Sequence, residues 1–492
     1  MRIVDMIFHW AKAKPLQPAI IQPDSIFTFA KLAQAIEAAA SRIAQKNLDQ
    51  NKPVAVLIED PVRHLTVCYA LMHLGFTIAP VNRALLRNLP GLGIDTLIHS
   101  NADTIISEGN NIRFDDSWIQ SERLAADTVR SGQKPDRKNG NLIFLTSGTT
   151  STPKIITHPV DAFFERLYHS NKMLEGHYGR TLVIPGVDGL YGFYPAWSIL
   201  SSGRTVCFGP EGEPMLLMIG TYSIDYIIAS PQQALGLVAI AEKNGGYKLD
   251  SVKAVRMGGA MITKELVRRI QSVFCPTVII TYGSTEAATM AFGHYDMISR
   301  VPNAVGFVAP WIDLEIVDDN GNVLPAGVEG RVRARTPVLT ARIAMDPQAA
   351  LDDTRDGWWY SGDFGCLTED GILRILGRGD DILNRGGSKI AAVYLDEALC
   401  TCPGIADAGV CGVWGEGGIL QIWAGIVTTA DFNFDVFMRT LETNAELRNK
   451  LESNLDQVII VENIPRARGG KIQRGELREL LLKMAENPST QT

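Results

Sequence analysis

The stretch LIFLTSGTTSTPK, residues 142–154, joins a short apolar run to a polar loop that ends in a lysine. Residues 142–145 are all apolar and too few for a free-standing helix, so they predict a buried strand. Six of the nine residues from 146 to 154 carry a hydroxyl. Backbone N–H groups, hydroxyls and the ammonium of Lys154 can all point at phosphate oxygens. The stretch therefore predicts a strand followed by an anion-binding loop.

A second interpretation of this loop stays open on the loop alone. The G-x-x-x-x-G-K-[ST] spacing of a Walker A loop is missing here. A run of Ser and Thr can equally be a solvated linker between two domains. The rest of the chain has to decide between a phosphate loop and a linker.

Composition narrows the class of protein. The chain has 492 residues, a net charge of −7, 46% hydrophobic and 21% charged residues, as in a globular protein with more than one folding unit. No basic block indicates nucleic acid as the main partner. Seven cysteines form no CxxC pair and predict reduced thiols. Asp5 and His9 interrupt the N-terminal apolar residues, and no run reaches about 18 apolar residues. We therefore expect a cytoplasmic protein without a membrane span.

Alternating strands and helices predict a parallel sheet. An amphipathic helix over 28–46, with Thr28 as its N-cap, precedes strands at 54–58 and 77–81 that flank a helix at 62–74. Further strands are predicted at 181–184, 205–207, 226–229, 254–257 and 277–281, with helices at 232–242 and 264–273. The last two strands end in the polar turns Gly258-Gly259 and 282–286. Ligands bind beyond the carboxyl ends of such strands.

The pattern changes after residue 305. Short alternating segments at 313–317, 322–324 and 330–334 predict an antiparallel β module. Glycines and charges concentrate at 377–388 and predict a hinge. The remainder predicts a small α+β unit, with helices at 393–401, 434–452 and 475–486 and strands at 406–413, 420–428 and 457–462. The expected fold class is α/β, with a large N-terminal domain over 1–378 and a small mobile C-terminal domain over 379–492.

Five motifs resemble, in order, those of the adenylate-forming superfamily of acyl-CoA synthetases, peptide-synthetase adenylation domains and firefly-type luciferases. Residues 146–154 resemble its phosphate loop T-S-G-T-T-G-x-P-K, and residues 282–286 resemble Y-G-x-T-E. Residues 359–363, 377–382 and 465–474 resemble W-Y-x-[TS]-G-D, G-R-x-D-D-x and P-[KR]-x-x-x-G-K-I-x-R. The resemblance covers nearly the whole chain.

The resemblance implies a reaction in two halves. A carboxylate attacks the α-phosphorus of ATP and gives acyl-AMP and pyrophosphate, and a thiol then displaces AMP. The implied cofactors are ATP, Mg²⁺ and CoA, or the phosphopantetheine of an acyl carrier protein. Because both reactants are anions, the site has to neutralise phosphate charge and align the attack.

Residue roles follow from the same resemblance. Glu286 would bind Mg²⁺, Thr285 the α-phosphate, and Lys471 would bridge the acyl carboxylate and the α-phosphate. Asp363 would accept hydrogen bonds from the ribose hydroxyls. The residues implied around the nucleotide are Thr146, Ser147, Gly148, Thr149, Thr150, Lys154, Gly258, Gly259, Ala260, Tyr282, Gly283, Asp363 and Arg378. Asp380 occupies the hinge position, and Gly386 and Gly387 would admit the pantetheine arm.

Several positions depart from the family pattern. Ser151 replaces the second loop glycine, and Ala392 and Tyr394 stand where Pro and Glu are common. Residues 185–192 lack the family's aromatic-His or Phe-Asp pattern. The missing Phe-Asp argues against an amino-acid substrate. We expect Asp188 to form a turn between its two neighbouring glycines.

Three functions remain open at this point. The first is an AMP-forming acyl- or aryl-CoA ligase. The second is a stand-alone enzyme that loads a carrier protein, and the third is a non-catalytic adenylate-binding protein. The expected pocket walls (186–193, 229–232, 257–260 and 281–288) include Tyr191, Phe193, Met257 and Ala288, which favour an apolar or aromatic acid.

Overall fold

The structure is a computed structural model, and its description covers most of the chain. The described residues are 4–101, 105–106, 109–119, 140–146, 154–159, 164, 178–336, 342–343, 354–378, 381–385, 388–415, 420–444, 447–448, 451, 454–466, 470 and 472–486.

The α-helices of these ranges are short to medium in length. They are α1 (Asp5–Ala13), α2 (Phe29–Ala44), α3 (Pro61–His73), α4 (Leu190–Ser201), α5 (Glu213–Thr221), α6 (Pro231–Asn244), α7 (Lys264–Val273), α8 (Tyr295–Ile298), α9 (Ala392–Cys400), α10 (Phe434–Thr443) and α11 (Arg474–Glu486). Thr28 caps α2 as predicted, because its side chain accepts a hydrogen bond from the N–H of Lys31. Among the helices described here, none is long and apolar enough to cross a membrane.

The strands fall into a run before residue 260 and a run after it. The first run is β1 (Pro18–Gln22), β2 (Ser25–Thr28), β3 (Val54–Leu57), β4 (Ile78–Pro80), β5 (Thr96–His99), β6 (Asn110–Arg113), β7 (Leu142–Thr146), β8 (Lys154–His158), β9 (Arg180–Val183), β10 (Thr205–Cys207), β11 (Tyr226–Ala229) and β12 (Ala254–Gly258). The second run is β13 (Thr277–Ser284), β14 (Ala288–His294), β15 (Ala304–Val308), β16 (Asp313–Val317), β17 (Gly330–Arg335), β18 (Arg342–Ile343), β19 (Thr354–Arg355), β20 (Trp358–Leu367), β21 (Ile372–Arg378), β22 (Ile382–Arg385), β23 (Ser388–Ala391), β24 (Ile405–Trp414), β25 (Leu420–Thr428) and β26 (Gln457–Ile460).

The first sheet has the order β18-β8-β7-β4-β3-β5-β6. β3 and β4 are parallel, with Val54 opposite Ile78, and α3 connects them. This is the predicted βαβ unit. β8 turns back antiparallel to β7, so that Thr146 lies opposite Lys154.

The second sheet is larger and mixed, with the order β16-β17-β20-β21-β15-β14-β13-β12-β11-β9-β10-β1-β2 and β19 paired to β20. In the order of the sheet, the neighbouring strands from β13 to β1 are parallel to each other, whereas those from β16 to β13 are antiparallel. The strands after residue 305 are antiparallel, as predicted. They extend the parallel sheet through β13 and β14, because the β13–β14 hairpin carries the chain directly from one half to the other.

One hydrophobic core contains residues of both sheets and of helices α2, α3 and α4. Trp197 and Phe193 of α4 are fully buried there. The ring of Phe193 lies 6.2 Å from that of Tyr69 on α3 and 5.8 Å from that of Phe144 on β7. Each buried ring of this size contributes roughly 1.5–3 kcal/mol. The strand that precedes the polar loop is therefore firmly packed, as its apolar residues predict.

The C-terminal segment, residues 381–486, contains a separate sheet of the order β24-β25-β26. Phe437 of α10 and Leu395 of α9 are buried in one core, whereas Leu477 and Leu481 of α11 are buried in another with Ile459 of β26. The predicted strand at 420–428 agrees with β25. The predicted helix at 434–452 is interrupted, because α10 ends at Thr443 and Asn444 is extended, whereas residues 447–448 and 451 are helical again.

Two other local predictions were wrong. The segment predicted as a strand at 322–324 contributes only one bridge, between Val317 and Val323. The strand predicted at 277–281 continues to Ser284, so that residues 282–284 lie in β13 and not in a turn. Pairing to β14 overrides the turn tendency of Gly283.

Candidate active site

The carboxyl ends of β11, β12 and β13 lie side by side. Ala229 is opposite Met257, and Gly258 is opposite Thr281. Residues 230–232, 259–260 and 285–286 therefore leave the sheet at the same edge. This is the position at which open α/β sheets bind ligands.

Gly258 sits where a side chain would not fit. An added Cβ would lie 2.5 Å from Thr281 Oγ1, 2.8 Å from the Thr281 carbonyl oxygen and 3.2 Å from the Tyr191 hydroxyl. Those groups are held in place, since Thr281 Oγ1 donates to the carbonyl of Met257 at 3.0 Å and Tyr191 donates to that of Ala229 at 3.2 Å. Gly259 follows with φ +89°, a conformation that glycine adopts without strain. Ala260 follows and is half-buried. Because the turn has no side chains, a ligand can approach its backbone closely.

The second polar turn is a tight hairpin between β13 and β14. Ser284 pairs with Ala288, and the Ser284 hydroxyl accepts a hydrogen bond from the N–H of Ala287 at 3.0 Å. Thr285 and Glu286 form the tip between them and are partly exposed. A side chain at Gly283 would overlap the carbonyl of Ala288. The hairpin therefore presents a hydroxyl and a carboxylate at the sheet edge.

Tyr282 and Asp363 are in direct contact although 81 positions separate them. The Tyr282 hydroxyl donates to Asp363 Oδ2 at 2.5 Å. Asp363 follows Gly362, which has φ +74°, and its N–H donates to Ser361 Oγ at 3.1 Å. Across β20 and β21 the Asp363 backbone pairs with Arg378. Three residues from three of the five motifs thus meet at one place.

The flanks of the polar loop decide against the linker hypothesis. β7 and β8 are antiparallel neighbours in one sheet, and Thr146 faces Lys154. A linker between domains would not return to the strand beside the one it left. The described backbone therefore places Thr146 and Lys154, the two ends of the loop, opposite each other on neighbouring strands.

Several predicted site residues lie outside the described part of the chain. They are Ser147, Gly148, Thr149, Thr150, Ser151, Asp380, Gly386, Gly387 and Lys471. For Thr146, Lys154 and Arg378 the backbone is described but the side chain is not.

The residues on either side of Lys471 are described. Gly470 and Ile472 flank it, and Ile472 pairs with Arg466 in an isolated bridge. Gly470 lies against Gln232, which is near the start of α6. The C-terminal segment thus reaches the same sheet edge as the two polar turns.

One buried polar cluster was missed by the sequence reasoning. His64 of α3 is buried, and its Nδ1 lies 3.2 Å from the carbonyl oxygen of Ile58. Burial lowers the pKa of His64 to about 4, although the nearby carboxylates of Asp188 and Asp60 oppose this shift. Asp188 does sit in the predicted turn, but it also accepts a hydrogen bond from Asn82 Nδ2 at 2.9 Å. A histidine within an apolar helix carries no periodic signal that would reveal such a contact.

No cluster of three or more His, Cys, Asp and Glu side chains suited to a metal ion occurs in the described ranges. All seven cysteines are free, and Cys400 is the exposed one among them. The expectation of unpaired thiols is thus confirmed.

The chain is similar to several known proteins. Residues 7–342 match the family described as AMP-binding enzyme. The 4-chlorobenzoate–CoA ligase of Arthrobacter sp is 24% identical over 100% of this chain and 98% of that protein. The indoleacetate–CoA ligase of Aromatoleum aromaticum is 25% identical over 98% and 99%. The solved amide bond synthetase McbA from Marinactinospora thermotolerans shares the fold, with a TM-score of 0.83 and 22% identity over 97% of this chain and 99% of that one.

The family match covers more than half of the chain. The protein is therefore an AMP-binding enzyme, and it belongs to the adenylate-forming superfamily. The resemblance drawn from the five motifs and the expected α/β fold are both confirmed.

Proposed function

We propose that this enzyme activates a carboxylic acid as its acyl-adenylate, releases pyrophosphate, and transfers the acyl group to the thiol of CoA. The observation that carries the proposal is the Tyr282–Asp363 hydrogen bond beside the Gly258-Gly259 turn. It brings an aromatic ring, a carboxylate and a bare backbone turn to one edge of the sheet. These three groups can bind the base and the ribose of an adenosine.

Each of these groups would bind a different part of the nucleotide. Tyr282 offers a ring face to adenine, and the Gly258 turn lets the backbone approach the base closely. Asp363 accepts hydrogen bonds from the ribose hydroxyls, since an ionised carboxylate is an acceptor only. The backbone of Arg378 lies opposite Asp363 on β21, and its guanidinium would supply a cation for ribose or phosphate.

The first half-reaction requires two anions to meet. A carboxylate oxygen of the acid attacks the α-phosphorus, and the bond from that phosphorus to the bridging oxygen of pyrophosphate breaks. Thr285 would hold the α-phosphate, and Lys471 would bridge it to the carboxylate. Thr146, Ser147, Thr149, Thr150 and Lys154 would hold the departing β- and γ-phosphates. Fixed donors of this kind stabilise charge that develops in the transition state.

The residues present fit a magnesium ion that is bound largely through phosphate and water. Glu286 supplies one carboxylate at the hairpin tip, and Mg²⁺ at nucleotide sites uses one or two carboxylates with phosphate oxygens. The ion would neutralise charge on the leaving pyrophosphate.

The second half-reaction moves the acyl group. The thiolate sulfur attacks the acyl carbon, and the carbon–oxygen bond to AMP breaks. We propose that the C-terminal segment swivels at Asp380 between the two halves, so that Gly386 and Gly387 admit the pantetheine arm. Asp380→Pro would then preserve acyl-AMP formation and impair thioester formation. Equal loss of both half-reactions would disprove the swivel.

An aromatic or otherwise apolar acid is the substrate class that we propose. Tyr191, at the start of α4, reaches the Gly258 turn with its hydroxyl. The two ligases named above act, by their names, on 4-chlorobenzoate and indoleacetate. Phe193 and Met257 are fully buried in the cores, whereas Tyr191 is partly exposed.

The acceptor is tested by supplying each thiol in turn. Acyl-thioester formation is measured with free CoA and with a phosphopantetheinylated carrier protein, for an acid that supports adenylation. We expect thioester with CoA and none with the carrier protein. Transfer to the carrier protein alone would establish the loading enzyme, and turnover with neither would contradict a thiol acceptor.

A further inference from the structure

Gly470 and Gln232 meet although they lie at distant points of the chain. A Cβ added at Gly470 would lie 3.1 Å from Gln232 Oε1 and 3.4 Å from Gln232 Cβ. Both distances are at or below the lower end of ordinary van der Waals contact. Gly470 also has φ +83°, which disfavours any side chain. The backbone of Gly470 therefore packs directly on the Gln232 side chain.

Gln232 is firmly placed by its own helix. α6 begins with a capping box in which Ser230 and Gln233 exchange hydrogen bonds, and Pro231 stands in the first turn. The Gln232 side chain is exposed and belongs to none of the hydrophobic cores. It projects from the helix that follows β11, and β11 ends beside the Gly258 turn.

Gly470 is firmly held by the C-terminal segment. Arg466 donates to both carboxylate oxygens of Asp407, at 2.6 and 3.2 Å, and its other terminal nitrogen donates to the carbonyl of Gly470 at 2.7 Å. Gln473 N–H returns to the carbonyl of Pro465 at 2.9 Å. Gly470 must therefore move together with this segment.

A second contact joins the same two parts of the chain. α9 lies against β21, and the Tyr394 side chain interacts with those of Asn303 and Arg374. Tyr394 is one of the departures from the family pattern. The contact at Gly470 is thus accompanied by a second contact between described residues of the C-terminal segment and the large sheet.

We propose that Gln232 is a positioning residue for the first half-reaction: it is the surface on which Gly470 docks to set the place of Lys471, the next residue. This inference rests on the proposed function, because it assigns the contact to adenylation. Gly470 lacks a side chain so that the backbone can reach this surface. Acyl transfer uses a different face of the C-terminal segment and does not require the contact.

The test separates the two half-reactions in Gly470→Ala, Gln232→Ala and the double variant. Adenylation is followed by exchange of labelled pyrophosphate into ATP, and transfer by thioester formation from synthetic acyl-AMP. Overpacking by Gly470→Ala lowers exchange by about 30-fold. Gln232→Ala in the Gly470→Ala background raises exchange again by at least about 5-fold, because the Gln232 Oε1 that lies 3.1 Å from the added Cβ is removed. Transfer changes by less than about 3-fold in all variants.

A matched control distinguishes docking from a general effect on the segment. Gly475, near the start of α11, has nothing within 4 Å of an added Cβ, and Gly475→Ala should leave exchange unchanged. Absence of rescue in the double variant would show that the φ of Gly470 alone causes the loss, and would overturn the proposal. Equal losses in exchange and transfer would also overturn it.

Hydrogen exchange of the full-length protein tests whether Gly470 docks on Gln232, and it does so even if the acid substrate is unknown. Backbone amides of residues 229–236 should lose protection in Gly470→Ala and keep it in Gly475→Ala. Unchanged protection in Gly470→Ala would contradict the docking contact. If none of the acids supports pyrophosphate exchange by the wild type, the proposed function fails. Hydrogen exchange still decides in that case whether Gly470 docks on Gln232.

Discussion

The hydroxyl of Tyr282 donates a hydrogen bond of 2.5 Å to Asp363. The two residues come from different halves of the mixed sheet, since β13 continues the parallel strands and β20 belongs to the antiparallel ones. The bond therefore links the turn edge of the parallel half to the motif that was expected to bind ribose. It orients the carboxylate before a nucleotide arrives, which reduces the cost of ordering it on binding.

Removal of this bond should weaken ATP binding. We expect Tyr282→Phe to raise the KM for ATP by about tenfold, because a hydrogen bond to a charged group contributes roughly 1.5 kcal/mol or more. The melting temperature should change little. Tyr360→Phe is the matched control, since Tyr360 accepts from Arg333 at 3.1 Å and leaves Asp363 untouched. An unchanged KM in Tyr282→Phe would show that the bond has no part in nucleotide binding.

The turn at Gly258 should tolerate no side chain. Gly258→Ala places a Cβ 2.5 Å from Thr281 Oγ1, and overpacking of this kind costs about 1–3 kcal/mol. We expect a lower melting temperature together with at least about a tenfold loss of adenylation. Gly236→Ala within α6 meets no atom within 4 Å and should raise stability by about 0.5–1 kcal/mol. Normal adenylation in Gly258→Ala would contradict a close-approach turn.

Arg474 should dominate the stability of the C-terminal segment. Its guanidinium lies 2.7 Å from Asp396 and 2.7 Å from Asp381, and it donates to the carbonyl of Val410 at 2.6 Å. We expect Arg474→Met to lower the free energy of unfolding by about 3–5 kcal/mol, because Asp396 is left buried and unpaired. Urea unfolding measures the change. Arg268→Ala, which breaks the exposed pair with Glu265, should stay within about 0.5 kcal/mol.

The Arg474→Met loss should depend on pH. Burial raises the pKa of Asp396, and Arg474 opposes that shift in the wild type. Without Arg474 the pKa of Asp396 rises further, so the carboxyl becomes neutral as the solution is acidified. The variant should therefore lose less stability at pH 5 than at pH 8. A loss independent of pH would mean that the missing side-chain volume, and not the charge, is responsible.

His64 should make stability fall between pH 6.5 and 4. Its pKa is about 4 in the fold and 6.5 when unperturbed, so within this window the unfolded chain binds a proton that the folded chain does not. A shift of this size corresponds to roughly 3 kcal/mol. The free energy of unfolding of His64→Gln should thus fall less steeply from pH 7 to pH 4 than that of the wild type. Parallel curves would show that His64 is not the group that titrates.

Much of the fold follows from local sequence patterns. The βαβ unit around α3 and the strands up to β13 were predictable because apolar runs, caps and glycine stops repeat at regular spacing. Continuity of the sheet through β13 and β14 was not, since strand pairing at Gly283 overrides its turn tendency. The break of the predicted helix at Asn444 was not predictable because the apolar pattern continues beyond Thr443.

The candidate site was likewise predictable in part. Motif order predicted that Tyr282, Asp363 and the Gly258 turn belong to one site, and the structure brings them together. The contacts of Gly470 with Gln232 and of Asp188 with Asn82 were not predictable. They join distant segments through single side chains, and a single side chain leaves no periodic trace in a sequence.

Acid-dependent exchange of labelled pyrophosphate into ATP tests the central claim most directly. A panel of aromatic, aliphatic and amino acids is supplied to the wild type and to Lys471→Ala, each compared with a reaction that lacks acid. We predict exchange by the wild type with at least one aromatic or apolar acid, none without acid, and a severe loss in Lys471→Ala. Absence of exchange with every acid would contradict the assignment of this chain as an acid-activating, adenylate-forming enzyme. Equal exchange by Lys471→Ala would contradict the role proposed for Lys471 in that reaction.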